Sequence, residues 1–450
     1  MLDEAFAILR EIRARGHLAV VVGGAVRDRL LGRPITDVDL ATGMPLEELA
    51  TLFTTHAVGR SKQFETVLIV RGGRAFEISR FRGAPERAET VGEAALQDDR
   101  AVLLRDTAHR DFTINALLLG LNGDVIDLQN RLTDLRNRVV RCVGSPAERF
   151  DEDPARILRA VRFAACLGFT IETATTEAMT RGAPRLAAVA GERVGKEILK
   201  IASHSGAALA DAVELMRRHG VLGVLLPEIG GLEELPLAQP PEEDCPEHPL
   251  AALRASSSTD PAVNLAALLN GAGKQRTHAQ TAGAGVVAAI ARRLRLSRRL
   301  AAAVSFAVEQ RPRAARFAEL RRSEKLALLG SPHWRVLRAA TLCAMSARGD
   351  SLAREHLDAV FLEAETDAGP LREGRAVAPV VSGSRIMALS CLAPGPLVGE
   401  IQRRVSAWAQ DNRVRNPELI ESEVVRLAAE AAAVGGEADP ADASGPRVSP

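Results

Sequence analysis

Val20-Val21-Val22-Gly23-Gly24-Ala25-Val26-Arg27-Asp28, followed nine residues later by Asp37-Val38-Asp39-Leu40, is the stretch on which the fold turns. A run of β-branched residues predicts a buried strand that enters a glycine pair and then a helix carrying Arg27. Glycines let a backbone approach a polyphosphate closely, and the N-terminus of the following helix offers free N–H groups. Arg27, near that start, is placed to pair with phosphate oxygens. A plain strand-to-helix turn is the other reading of Gly23 and Gly24. On a strand, residues i and i+2 share a face, so Asp37 and Asp39 converge. Two carboxylates on one face repel unless a cation lies between them, and oxygen-only ligands suit Mg²⁺. The alternative is a pair of solvated aspartates on an exposed edge.

Working outward, the first 140 residues alternate helix and strand signals. Leu2–Arg15 predicts an amphipathic helix, His17–Val22 a strand, Ala25–Leu31 a short helix and Pro45–Thr54 another. Thr66–Arg71 and Arg74–Phe81 predict a hairpin across Gly72-Gly73. Glu77 alternates with Phe76 and Ile78, so it points away from them and is the candidate third carboxylate, unless it is an ordinary surface glutamate.

In Arg110-Asp111-Phe112-Thr113-Ile114-Asn115, Arg110 is suited to a triphosphate. Asp111 and Asn115, one helical turn apart, are suited to a ribose, or else the stretch is a capped helix. Further on, Glu152-Asp153-Pro154-Ala155-Arg156-Ile157-Leu158-Arg159-Ala160-Val161-Arg162-Phe163 opens a region where strand signals nearly vanish. Pro154 suits a first helical turn and Asp153 the cap before it. Arg156, Arg159 and Arg162 recur every three residues on one broad face, where they repel unless they meet acid or phosphate. Asp153 and Arg156 together offer an acceptor and a donor edge, as a nucleobase requires.

The length of 450 residues predicts two to four domains. Formal net charge is +1, which excludes a uniformly basic nucleic-acid coat but not a local basic groove. Cys142, Cys166, Cys245, Cys343 and Cys391 contain no C-x-x-C pair, which argues against a zinc site or a disulfide framework. The first helix is too charged for a signal peptide, and no apolar run approaches the ~20 residues of a membrane span. A soluble, cytoplasmic protein is expected.

Taken together, the motifs resemble the bacterial class II tRNA nucleotidyltransferase and poly(A) polymerase family. They are GGAVRD (23–28) with DVD (37–39), HRDFTINAL (109–117), GDVIDLQNRLTDLRNRVVRCVG (123–144), EDPARILRAVRF (152–163) and ERVGKEILKI (192–201). They stand in the family's order over about the first 220 residues. The resemblance implies an α+β chain with a polymerase-β-like nucleotidyltransferase head (1–140), then an all-helical neck (141–220), body (221–330) and tail (331–432), with a disordered end (433–450).

By position, the resemblance assigns Asp37 and Asp39 to two Mg²⁺ ions, with Glu77 as third carboxylate. Gly23, Gly24, Arg27, Arg110, Asp111, Asn115, Arg159 and Arg162 would contact the nucleotide. Glu152, Asp153 and Arg156 resemble the amino-acid template that selects CTP or ATP in place of a nucleic-acid template. Two departures stand out: His109 replaces the family's usual Arg, and Glu65-Thr66 replaces a usual Gly-Thr. The segment from Asn264 to Lys274 resembles the HD phosphohydrolase segment with its His-Asp pair replaced by Asn270 and Gly271, so phosphodiesterase activity is not expected there. Val381–Met387 with Pro394–Pro396 resembles the region where the tRNA elbow docks.

The implied activity is CCA addition to the 3′ end of tRNA, with A addition alone and poly(A) tailing as rivals. The long Gly83–Ala108 stretch is read as a flexible lever for switching to ATP, which disfavours CC-only addition. Two other classes are open. A small-molecule nucleotidyltransferase would keep GGAVRD and DVD without needing the EDPAR helix, and an inactive RNA-binding protein would be expected to lose a carboxylate.

Overall fold

The structure, a computed structural model, describes residues 1–57, 66–82, 93–229, 249–270, 282–368 and 379–435. It divides into two compact units. The first holds Met1–Glu234 with Ser257–Pro261 and Ile290–Leu296, and the second holds the remainder.

The first unit begins with α1 (Leu2–Ala14), whose Ala5, Ile8, Leu9 and Ile12 recur at helical spacing and are buried. Next come β1 (Ala19–Val22), α2 (Gly24–Leu30), β2 (Asp39–Thr42), α3 (Leu46–Leu52) and β3 (Thr55–Ala57). The predicted hairpin is β4 (Thr66–Arg71) and β5 (Arg74–Arg80), its turn made by Gly72 and Gly73 at φ 57° and 72°. Short strands β6 (Leu118–Leu119) and β7 (Val125–Ile126) complete a seven-stranded sheet of order β3-β4-β5-β2-β1-β6-β7. Only β2 and β5 pair in parallel; the other neighbours are antiparallel. All four residues of β1 are buried, so it is a central strand, as its unbroken apolar run demands.

Three expectations change here. Glu93–Ala108 is a helix, α4, and not part of a flexible lever; its Ala, Leu, Arg and Gln are strong helix formers. Val102 and Leu103 dock α4 on Val20, Val22 and Phe81. The other part of the lever, 83–92, lies outside the described residues, as does Glu65. The helix expected through 111–115 is only a 3-10 turn, Thr113–Asn115. The stretch 233–262, whose Pro, Glu and Ser content predicts an irregular excursion, falls partly outside the described residues, but Pro249–Arg254 within it is helical and Pro261 starts another helix.

After α5 (Leu132–Arg136) the unit is helical: α6 (Pro146–Glu152), α7 (Ala155–Leu167), α8 (Thr173–Gly182), α9 (Gly191–Ala202), α10 (Gly206–Arg218) and α11 (Val221–Leu225). One exception is a two-residue parallel pair, β8 (Val139–Val140) with β9 (Thr170–Ile171). On α9, a Cβ at Gly191 or Gly195 would collide with the carbonyl of Arg293 or Leu294, so the absence of side chains sets that close approach.

Among its described residues the second unit is all-helical, with α15 (Arg298–Ala315), α16 (Arg322–Leu329), α17 (Trp334–Ala347) and α18 (Ser351–Asp367) named by continuing the count through α12 (Pro249–Arg254), α13 (Pro261–Leu269) and α14 (Ala282–Arg293). Phe317, Trp334 and Phe361 stack at 5.0–5.5 Å between centroids and anchor its core. Farther on, α19 (Gly383–Ser390), α20 (Pro396–Asp411) and α21 (Pro417–Gly435) close around Ile386, Ile401, Val405, Val424 and Leu427. Asn270 ends α13 in a turn, while Gly271 and the C-terminal stretch 436–450, expected to be disordered, lie outside the described residues. No described helix is long and apolar enough to cross a membrane.

Candidate active site

Strand register assembles the first part of the site. Asp39 pairs with Val22 of β1 on one side and with Glu77 of β5 on the other. Paired residues on neighbouring strands point the same way, so Asp39 and Glu77 share a face. The strand, expected over Val38–Leu40, runs from Asp39 to Thr42, so Asp37 lies just ahead of it. Even so, exposure alternates from Asp37 to Leu40, with Val38 and Leu40 buried and both aspartates outward. The i, i+2 logic therefore survives in extended backbone just ahead of the ladder. Thr36 donates its hydroxyl to Asp37 Oδ1 at 2.7 Å and fixes that carboxylate.

Asp39 keeps access to solvent. Its carboxyl is nevertheless pushed up to about 6, first by loss of hydration, then by the negative charges of Glu77 and Asp37, while Arg110 and Arg159 oppose the rise. Among the described residues, no three His, Cys, Asp or Glu side chains close into a cage for a metal ion. Glu77 is thus the paired neighbour of Asp39 across the β2–β5 register, close enough for its charge to act on the Asp39 carboxyl.

Gly23 sits where β1 turns into α2, at φ 75° and ψ −138°, a region closed to other residues. A Cβ there would lie 3.6 Å from Asp39 Oδ2 and 3.8 Å from an Arg110 guanidinium nitrogen. The bare backbone thus borders both the carboxylate and a cation. Gly24 has the Arg27 guanidinium against it. At seven residues, α2 is too short for its N-terminus to act as an anion site by itself.

A second set of groups adjoins the first. Arg27 is buried and donates to both oxygens of Asp28 at 2.9 Å and to Asn115 Oδ1 at 2.7 Å. Asn115 passes the chain on, donating to Asp111 Oδ1 at 3.2 Å. Asp111 also accepts from Phe112 N at 2.8 Å and from Arg159 Nε at 2.7 Å. Burial alone would raise the Asp111 carboxyl, but the Arg159 charge and these hydrogen bonds hold it below the usual range. Asp111 and Asn115, expected at a ribose, spend their polar atoms on an internal relay from α2 to α7. Arg110 is held by Asp106 at 2.9 Å, and His109 is exposed.

The third set lies at the α6–α7 junction. Glu152, the last residue of α6, receives Arg149 at 2.8 Å and Arg156 at 2.7 Å. Asp153 caps Ala155 N with one oxygen and takes Arg193 of α9 at 2.7 Å with the other. Arg162 donates to Glu197 of α9 at 2.5 Å. The three arginines of α7 meet acid and not one another: Arg156 meets Glu152, Arg159 meets Asp111 and Arg162 meets Glu197. Sequence reasoning missed Asp106, Arg149, Arg193, Glu197 and the aromatic Phe163. The ERVGKEILKI motif contains Arg193 and Glu197, and EDPARILRAVRF ends on Phe163, but neither spacing named their partners.

Comparison with known proteins bears on the whole arrangement. Residues 19–141 match the family described as "Poly A polymerase head domain", and residues 168–231 match "Probable RNA and SrmB- binding site of polymerase A". A CCA-adding enzyme of Streptococcus suis is 43% identical over 191 residues, 42% of this chain and 47% of the relative. A CC-adding tRNA nucleotidyltransferase of Halalkalibacterium halodurans is 41% identical over 201 residues, 45% and 48% of the two chains. The chain thus spans about half the length of the curated relatives it matches. In fold, the Bacillus stearothermophilus CCA-adding enzyme in complex with CTP superposes with a TM-score of 0.68 at 24% identity, covering 96% of this chain and 98% of that one. The Thermotoga maritima CCA-adding enzyme complexed with tRNA superposes at 0.57 and 20% identity, covering 94% of each. Over its first half the chain is thus similar to the head and RNA-binding modules described for poly(A) polymerases, and it adopts the fold of solved CCA-adding enzymes.

Proposed function

We propose that the chain is a template-independent RNA nucleotidyltransferase that adds CCA to the 3′ end of tRNA, using CTP and ATP and releasing pyrophosphate. The observation that carries this reading is the register that sets Asp39 against Glu77, two residues past Asp37, with the Gly23 backbone and Arg110 beside it. Solved relatives of the same fold that hold CTP, ATP or tRNA support the same substrates here.

Mg²⁺ fits the donors. They are hard carboxylate oxygens, burial and then their mutual repulsion push up the Asp39 carboxyl, and Asp37 and Asp39 would leave coordination positions to phosphate and water. Bound there, a pair of ions would activate the attacking 3′-hydroxyl and steady the pyrophosphate leaving group. Arg110 and Arg159 supply fixed positive charge next to the carboxylates, where a triphosphate needs it. The close Gly23 backbone leaves room for phosphate where a side chain would stand. Arg156 and Asp153, each anchored by a neighbour, present polar edges for choosing the base. The helical tail (331–432) is the part read as holding the RNA. A tRNA substrate implies a cytoplasmic enzyme.

The deciding experiment supplies a tRNA that ends at its discriminator base, with CTP and ATP separately and together. CCA addition is expected. Extension only of tRNA already ending in CC would replace this reading by A addition, arrest after CC by CC addition, and long A-tracts on unrelated RNA by poly(A) tailing.

A further inference from the structure

Phe163 lies at the centre of a feature that the reaction outlined above does not use. Its side chain is buried, and three guanidinium groups gather about its ring. The central guanidinium carbon is 4.1 Å from the ring centroid for Arg162, 5.0 Å for Arg27 and 5.6 Å for Arg159. Arg159 and Arg162 share α7 with Phe163, whereas Arg27 comes from α2. Phe112 meets the ring edge-on at 5.7 Å and 78°, which fixes its plane.

Three cations this close repel. Each has an acid partner: Asp28 for Arg27, Asp111 for Arg159 and Glu197 for Arg162. Those acids neutralise the charge through the N–H groups, which lie in the guanidinium plane. The ring attracts the same cations through the negative face of its π system, an interaction that consumes none of the N–H groups. The two contacts therefore do not compete. When a phosphate displaces an acid from the N–H edge, the ion pair is lost but the contact with the ring persists.

We propose that Phe163 is a positioning residue that keeps Arg27, Arg159 and Arg162 in place while they exchange acid partners for the triphosphate of the incoming nucleotide. This rests on the nucleotidyl-transfer reading above. An aliphatic side chain would fill the same space and lack the attractive face.

The test replaces Phe163 in the full-length protein with 4-fluoro-, 3,5-difluoro- and 3,4,5-trifluorophenylalanine, which drain the π face stepwise at nearly constant shape. Phe163→Leu is made in parallel. The KM for CTP and for ATP should climb along the series, reaching about tenfold at the trifluoro ring, equivalent to about 1.4 kcal/mol. Over the same series kcat should stay within about twofold, the signature of a lost nucleotide contact. The melting temperature should move by no more than about 2 °C. Phe163→Leu should match the trifluoro variant in KM. A flat KM along the series in an active wild-type background overturns the proposal, as does a KM that rises only together with loss of melting temperature. Wild-type protein that incorporates neither nucleotide overturns the functional reading, and this proposal with it.

Discussion

The carboxylates of the central strands and the arginine face of α7 adjoin within one unit, yet they handle charge in opposite ways. On the strands, Asp37, Asp39 and Glu77 put like charges on neighbouring positions, and loss of hydration followed by that repulsion pushes the Asp39 carboxyl up to about 6. On α7, every arginine of the face meets an acid, and Asp111 is held below its usual range despite burial. The first region carries unrelieved repulsion, which a cation supplied from outside would lessen. The second is already satisfied, so under the function proposed above a nucleotide would have to displace existing partners. On that reading, affinity for metal would draw on stored repulsion, and orientation of the nucleotide on a network complete before it arrives.

The largest expected effect would break the comparison at its frustrated end. Asp39→Ala should lower nucleotide incorporation roughly a thousandfold or more, about 4 kcal/mol of barrier, with tRNA affinity nearly unchanged. Turnover within about tenfold of wild type would show that the carboxylate pair holds no essential ion.

At the satisfied end the cost falls on stability. Asp111→Ala strands Arg159 and Asn115 and should destabilise the fold by about 2–3 kcal/mol, below the cost at a fully buried pair because Arg159 retains access to water. Glu152→Ala, at an exposed carboxylate, should cost no more than about 0.5 kcal/mol. Equal losses in denaturant titrations would contradict the contrast. The sign with pH follows from the lowered Asp111 carboxyl. Its contribution is complete above the unfolded value of about 3.9 and is lost as pH falls through the folded one. Asp111→Asn should therefore flatten the acid side of a plot of melting temperature against pH.

Selectivity sharpens the comparison next. Arg156 is tied to Glu152 and to the Arg149 carbonyl, so Arg156→Ala removes one edge of the base-reading pair without touching the carboxylates. Discrimination against UTP and GTP should weaken by about 1–3 kcal/mol, read as ratios of kcat/KM. A variant that still rejects both as wild type does would assign base choice elsewhere.

The smallest effect has the opposite sign. In a metal-free buffer at pH 7, Asp39 is charged and in repulsion with its neighbours, so Asp39→Asn should raise the melting temperature by about 1–3 °C. The gain should shrink as pH falls below about 6 and vanish only below the unfolded carboxyl value of about 3.9, where both states are protonated in the wild type. A fall in melting temperature at pH 7 would mean that the repulsion is not felt.

By itself the sequence determined what repeats locally. The β-branched run of β1, the hairpin around Gly72-Gly73, the period of α7 and the outward pair Asp37 and Asp39 all follow from spacings of two to four residues. Ordered motifs extended that reading to the family's head. What only the tertiary structure decided was who meets whom. Arg27 finds Asn115 across 88 residues, Arg159 finds Asp111 across 48 and Arg162 finds Glu197 across 35. The same contacts link Asp111 and Asn115 into a buried relay and bring Phe163 under three cations. Strand register likewise sets Glu77 beside Asp39. Hydrophobic period states which way a side chain faces, but the partner on the other side is chosen by packing of distant segments, and no local spacing encodes that choice.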